Sequence, residues 1–185
     1  MSILVLGVII WIGIHLVPSV GRPLRHRLVA TLGENPYKGI FSLFVISSIV
    51  LMVMGWRSAQ PVAIFQPPGW GHAAAIPMVF LAFFLFVAST QKTNVKRFIR
   101  HPQLTGVAIW AVAHLLSNGD SRSLVLFGAL GAWALLEMPL INRREGPWVR
   151  PTSESFKAEL KPLIASTVAY ALFFFLHPYL FGAGP

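Results

Sequence analysis

The chain has 185 residues, 55% of them hydrophobic and 11% charged, and no cysteine. Soluble domains carry about 25% charged residues, so with a mean hydropathy of +0.67 the composition excludes an ordinary soluble domain and points to an integral membrane domain. Without cysteine there can be no disulfide, iron–sulfur cluster or thiolate metal site, and the net charge of +9 reads as topological sorting of Lys and Arg rather than as a nucleic-acid surface.

Six apolar stretches, roughly 2–20, 37–55, 73–90, 102–118, 121–141 and 162–182, are long enough for tilted or slightly short spans. The expected fold class is all-α: a polytopic membrane helical bundle of about six transmembrane helices, one domain over 1–185, with the lipid bilayer as its main partner. No basic residue precedes the first stretch, so it reads as a retained span rather than a cleaved signal. Arg22, Arg25, Arg27 and Lys38 follow span one. Lys92, Lys96, Arg97 and Arg100 follow span three, and Arg143, Arg144, Arg150, Lys157 and Lys161 follow span five. The other two loops hold only Arg57 and Arg122. The positive-inside rule then puts loops one, three and five in the cytoplasm and both termini outside.

Span one ends with Trp11, His15 and Pro18 on one face. An ionisable residue inside a span is costly in lipid, so His15 is a candidate for function. The basic stretch after it reads as a loop with a turn at Gly33–Pro36 and an exposed His26. In span two, Ser42, Ser47 and Ser48 are placed to bond back to helix carbonyls. The Pro- and Gly-rich loop 56–72 carries Trp56 and Trp70 for the interface belt, and His72 at the outer mouth of span three. Residues 91–101 form a short basic amphipathic stretch suited to the inner leaflet.

Span four opens on Pro102, well placed at the first helical position, and ends at Asn118-Gly119. Its Gln103, Gly106, Trp110, His114 and Ser117 share one face that lipid would not favour, so this face is expected inside the bundle. In span five, Glu137 lies towards the cytoplasmic end, with Arg100, His101, His15 or the inner interface as its expected surroundings. Gly128 and Gly131 permit close helix approach. Ser153–Lys161 reads as a short surface helix. Span six ends in Phe173–Phe175 and His177-Pro178, near the outer surface.

Trp11-x-x-x-His15 and Trp110-x-x-x-His114 are the same small pattern on two helices of opposite direction. Two such patterns suit a clamp on a flat aromatic ligand. Its physical version is haem b held by two neutral imidazoles, with the aromatics and Gly106 against the macrocycle and arginines for its carboxylates. Depth gives a different pairing. His15 and His114 lie on opposite sides of mid-span, about 12 Å apart in height and roughly 15 Å between Cα atoms. His114 and His177 lie at nearly one depth, as do His15 and His101.

Arg97–Asp120, with RFIRHPQLTG followed by W-x-x-x-H-L-L-x-N-G-D, resembles the signature of the NnrU family of bacterial membrane proteins. His15, Arg25, Gly33-Glu34, Tyr37 and Phe41-Ser42-Leu43 agree with it, and the resemblance covers most of the chain. It implies a multi-pass protein of the bacterial inner membrane associated with denitrification, supporting nitrite and nitric oxide reductase function. The family also includes zeta-carotene isomerase, a haem b enzyme that shifts a cis double bond in an apolar polyene. By that resemblance His15 and His114 are the iron ligands, and His101 matches the histidine of its RHPQ motif. His101 and His177, paired by depth, stand as substitutes, and Arg100, His101 and Trp110 are the further candidates for the cofactor site. The isomerase also has a cysteine near the second histidine, which this chain lacks, so a ligand switch of that kind does not transfer.

Three functions compete. The first is an isomerase-like enzyme acting on an apolar small molecule, or a factor serving denitrification enzymes, in either case with haem b. The second is a membrane methyltransferase of the isoprenylcysteine or phospholipid type, which Arg100-His101 at a cytoplasmic helix start also resembles. Arg100, His101 and Glu145 would then hold S-adenosylmethionine, although the double-glutamate motif expected after Asn142 is missing. The third is a non-enzymatic assembly or haem-handling protein. An internal cavity beside the histidines favours a ligand-binding role, and a filled bundle a structural one.

Overall fold

The computed structural model describes residues 1–182; the last three residues of the expected domain, 183–185, lie outside the described residues. Among the described residues the regular structure is helical, apart from an isolated antiparallel bridge between Ala63 and Asp120. In chain order the helices are α1 (Ser2–Ser19), α2 (Arg22–Leu32), α3 (Glu34–Ser58), α4 (Gly71–Ser89), α5 (Val95–Phe98), α6 (Pro102–Ser117), α7 (Ser121–Ser123), α8 (Ala129–Glu145) and α9 (Leu160–Phe181). A π-helical segment, Leu124–Gly128, joins α7 to α8, and a 3-10 turn, Phe156–Glu159, leads into α9.

Five helices are long and apolar enough to cross a membrane: α1, α3, α4 and the continuous stretches Ser121–Glu145 and Phe156–Phe181. The sixth expected span is α6. Its 16 residues extend about 24 Å, less than a hydrocarbon core of about 30 Å. Pro102 stands at its start and Asn118 at its end, as the sequence implies.

The first basic loop is a helix instead. Leu24, Leu28 and Leu32 of α2 recur at helical spacing, and Pro23 and Gly33 (φ +87°) bracket the element. Its cations mask the pattern, and none of its residues is buried. The expected surface helix at Ser153–Lys161 shrinks to the 3-10 turn, tied down by the Asn94 backbone N–H donating to Glu159 (2.6 Å).

The long helices follow one another around the bundle in the order α3, α1, α8, α6, α4, α9, with α9 returning to α3 by the sparsest contact. Apolar side chains gain little by leaving lipid for one another, so close packing at small residues must hold such helices together. A Cβ on Gly7 of α1 would lie 2.8 Å from the Met52 backbone nitrogen, and one on Gly55 of α3 would run into the backbone of Leu4. A Cβ on Gly106 of α6 would lie 2.9 Å from the Ala82 carbonyl of α4, and one on Gly131 of α8 would lie 2.9 Å from Ala111 of α6. Gly128, expected to act likewise, meets only Leu124 of its own helix. Leu4, Val8, Met52 and Leu130 form one core cluster, and Leu104, Trp133 and Ala134 another. Large apolar residues such as Ile9, Leu43, Ile46, Ile164 and Phe175 are exposed around the outside, where lipid would cover them.

The loops that carry most of the basic residues gather at one end. There Arg100 donates to the Gly146 carbonyl (2.8 Å), Arg144 to the Pro18 carbonyl (3.3 Å) and Asn94 to the Glu154 carbonyl (3.0 Å). Residues 59–70 cover the opposite end, where the Ile64 and Phe65 N–H groups donate to the Gly119 carbonyl. Gly7→Val is expected to lower stability by about 1–3 kcal/mol through overpacking. Gly13→Ala, whose Cβ would meet open space, is expected to be neutral or to stabilise by up to about 1 kcal/mol. Thermal unfolding of both variants in one detergent checks the contrast.

Candidate functional site

At the end away from the basic loops lies a cavity of about 370 Å³. Trp110, His114 and Ser117 of α6 line it together with His72 of α4 and Phe173 and His177 of α9. It exists because α6 stops early and large rings take the place of the glycine and alanine contacts found lower in the bundle. Asn118, just past the end of α6, also lines it, and the chain that follows is bonded to the connection between α3 and α4. The Ser121 N–H donates to the Val62 carbonyl (2.8 Å), and the Val62 N–H to the Ser121 hydroxyl (3.2 Å). Glycines at 71 and 119 allow these segments to pack closely: a Cβ on Gly71 would strike the Leu116 carbonyl, and one on Gly119 the Phe65 carbonyl.

The ring Nδ1 of His114 lies 2.8 Å from the Trp110 carbonyl. A carbonyl can only accept, so Nδ1 carries the proton and Nε2 keeps its lone pair. The Phe127 ring, in the π-helical segment, stacks on the imidazole at 4.3 Å and 23°. The His177 ring lies 6.4 Å away at 25°. Ser117 Oγ is buried and has no hydrogen-bond partner.

His15 repeats the local arrangement elsewhere. Its Nδ1 lies 2.8 Å from the Trp11 carbonyl, so its Nε2 also keeps its lone pair. Its ring sits among those of Trp11 (4.3 Å), Trp133 (5.1 Å) and Phe41 (5.5 Å), and His15 is not among the residues lining the His114 cavity. Three polar atoms near this cluster are buried without a partner: the indole nitrogens of Trp11 and Trp133, and Glu137 Oε2. Glu137 is buried and accepts from the Ser19 hydroxyl at its other oxygen. Of its expected partners, Arg100 bonds Gly146 and His101 bonds Asn142, leaving only His15 within electrostatic range.

Arg100 and His101 fasten the start of α6 to the end of α8. Besides its bond to Gly146, Arg100 lies 3.8 Å from Glu145, and His101 Nε2 lies 2.8 Å from Asn142 Oδ1. The structure thus brings His114, Trp110 and His177 together at one end, Arg100, His101 and Glu145 at the other, and holds His15 among indoles.

The family model described as NnrU protein matches residues 3–185. The chain belongs to the NnrU family. No curated protein and no solved structure matches it.

Two features of this NnrU-family protein differ from expectation. The polar stripe on α6 divides: Trp110, His114 and Ser117 line the cavity, but Gly106 is filled by α4 and Gln103 is exposed. Gly106 therefore serves helix packing and leaves no flat gap for a ligand. The sequence also gave no sign of Phe127 against His114, because a π-helical segment has no residue signature. His72, expected only at the interface, stands at the cavity mouth, and its position at the start of α4 was the available signal.

Among the described residues no group of three or more His, Asp or Glu is close enough to hold a metal ion. A bare ion would lack ligands, since protein zinc sites use three or four. Haem needs only axial ligands from the protein, and a neutral imidazole with an anchored Nδ1 is the donor it takes. His114 and His177 both line the cavity with ring centroids 6.4 Å apart, so their imidazoles are the residues there that would hold such a group.

Asp120 caps the helix that carries Phe127. Burial opposes its charge. Hydrogen bonds from the Ser123 hydroxyl and from the Ser123 and Arg122 N–H groups, with the Arg122 charge beside it, outweigh burial and hold the carboxyl below its ordinary value. Asp120→Ala is expected to cost about 1 kcal/mol near neutral pH. With the folded pKa below the unfolded one, this advantage is present above the unfolded pKa and fades as pH falls through the folded value. Melting curves of the two proteins should converge in acid.

Proposed function

We propose that this NnrU-family protein is a six-span haem b protein of the bacterial inner membrane, with both termini outside. Its haem would lie at the outer end of the bundle, with His114 as an axial ligand. The observation that carries this reading is the pair of imidazoles, His114 and His177, lining one aromatic cavity with the His114 Nδ1 already engaged. His114 is common to both pairings of histidines. The shared cavity favours His177 as its mate, and the family resemblance favours His15.

In this site the Trp110 carbonyl fixes the His114 tautomer and ring orientation, and Phe127 holds the ring from its face. The apolar walls from α4 and α9 exclude water and suit an apolar small molecule. The Ser117 hydroxyl offers one hydrogen bond to a polar group of whatever binds. Haem bound here would supply an iron able to polarise a substrate double bond or to carry one electron. An open cavity beside the histidines supports a ligand-binding role over a purely structural one. The resemblance of Arg97–Asp120 supports service to nitrogen-oxide respiration or isomerase-like chemistry.

The crossing of α6 supports six spans: it packs between α4 and α8 along the bundle, and the bonded chain beyond its end makes up the distance it does not reach. The orientation rests on 13 of the 15 Lys and Arg residues being in or beside loops at one end.

The test is the visible spectrum of the detergent-purified protein, oxidised and reduced. A Soret band with sharp reduced bands, at about one haem per chain, is the expected result for a six-coordinate haem b site. His114→Ala should abolish it. Loss of the six-coordinate spectrum in His177→Ala but not in His15→Ala supports the cavity pair, and the reverse supports the His15 pairing. A protein that stays colourless when haem is supplied overturns the reading.

A further inference from the structure

A second pocket opens at the basic end of the bundle, with a volume of about 640 Å³. Arg22 and Arg25 of α2, Tyr37 and Lys38 at the start of α3, and Arg144 at the end of α8 line it. Sorting by topology explains why cations lie at this end, but not why four of them converge on one concavity.

Two of these cations already have carboxylate partners. Lys38 pairs with Glu34 (2.8 Å) and Arg144 with Glu145 (2.7 Å), and neither carboxylate lines the pocket. Arg22 and Arg25 have no carboxylate within ion-pair distance among the described residues. The Arg25 guanidinium sits over the Tyr37 ring at 5.6 Å, which holds it at the pocket wall. Tyr37 is 8% exposed, and its hydroxyl is buried without a hydrogen-bond partner. A buried phenol left unpaired is costly, and here it lines the same pocket as two guanidinium groups that have no ion-pair contact.

We propose that this pocket binds a phosphate ester, with Arg22 and Arg25 neutralising the anion and the Tyr37 hydroxyl donating to one of its oxygens. Planar guanidinium groups match phosphate oxygens in paired hydrogen bonds. The favoured source is the headgroup of an anionic membrane lipid. The pocket lies where α1 ends and α3 begins, and Ile40, Leu43 and Phe44 of α3 are exposed beside it, an apolar strip along which acyl chains can lie. A soluble phosphorylated molecule would use the same contacts without that strip.

The experiment uses the full chain. Retention of phosphatidylglycerol and of phosphatidylcholine is counted by native mass spectrometry in detergent, and binding of inorganic phosphate is followed separately by calorimetry. Two double variants remove equal charge from the same end: Arg22→Gln with Arg25→Gln in the pocket, and Arg150→Gln with Lys157→Gln on the exposed loop and turn. Tyr37→Phe removes only the unpaired hydroxyl.

The expected result is selective retention of phosphatidylglycerol, weakened about tenfold or more by the pocket variant and less than about threefold by the loop variant. Tyr37→Phe should weaken it about threefold or more. Binding of inorganic phosphate with no preference for phosphatidylglycerol, lost in the pocket variant, supports the same chemistry with a soluble source. Equal losses in the two double variants would reduce the pocket to general surface attraction and overturn the proposal. So would the absence of binding by either probe.

Discussion

Everything in this bundle depends on backbones that come close. In lipid, a leucine gains little by exchanging acyl chains for another leucine, so contact has to come from surfaces that fit with little between them. Gly7 and Gly55 do this between α1 and α3, Gly106 between α6 and α4, and Gly131 between α8 and α6. These contacts fix the helices where side chains are small. The large rings, Trp56, Trp110, Phe127 and Phe173, collect beyond the glycine contacts, towards the end where α6 gives out. The cavity is what remains when close packing stops before the helices do.

His15 of α1 and His114 of α6 are held by the same device. Each gives its Nδ1 proton to the carbonyl four residues earlier, a group already engaged in its own helix, and each leans on the tryptophan that carries that carbonyl. Half of the imidazole is thereby satisfied without a second helix, and the other nitrogen is left as a ligand. The surroundings then separate the two. His114 opens onto a cavity, whereas His15 is packed by indoles near a buried carboxylate.

Much of the architecture was legible in the chain. The alternation of apolar stretches and cationic loops located the long helices to within a few residues, because apolar length and proline or glycine punctuation act locally. The helix α2 was hidden, since its leucine stripe is diluted by three arginines. The polar stripe on α6 was legible as a face but not as an environment. A helix in a ring has two neighbours, and α4 covers the Gly106 half of that face while the cavity takes the His114 half. His72 and Phe127 come to the site through tertiary placement and a π-helical segment, for which the sequence carries no periodic signal. Depth arithmetic set His114 level with His177 because their distances from the helix ends are similar, and the bundle then brings α9 against α4 near enough for the rings to meet.

The shortness of α6 has a mechanical outcome. It falls about 6 Å below the hydrocarbon thickness, and such a mismatch is commonly taken up by tilt or by a thinned bilayer. On the six-span reading, folded chain takes it up here. Irregular backbone at that depth is tolerated only when its polar groups find partners inside the protein, and the bonds between 62–65 and 119–121 supply them. Those bonds tie the connection between α3 and α4 to the turn between α6 and α7. The chain beyond the end of α6 is therefore pinned to the helices it joins, and its height is set by the bundle as a whole rather than by a loop that swings independently.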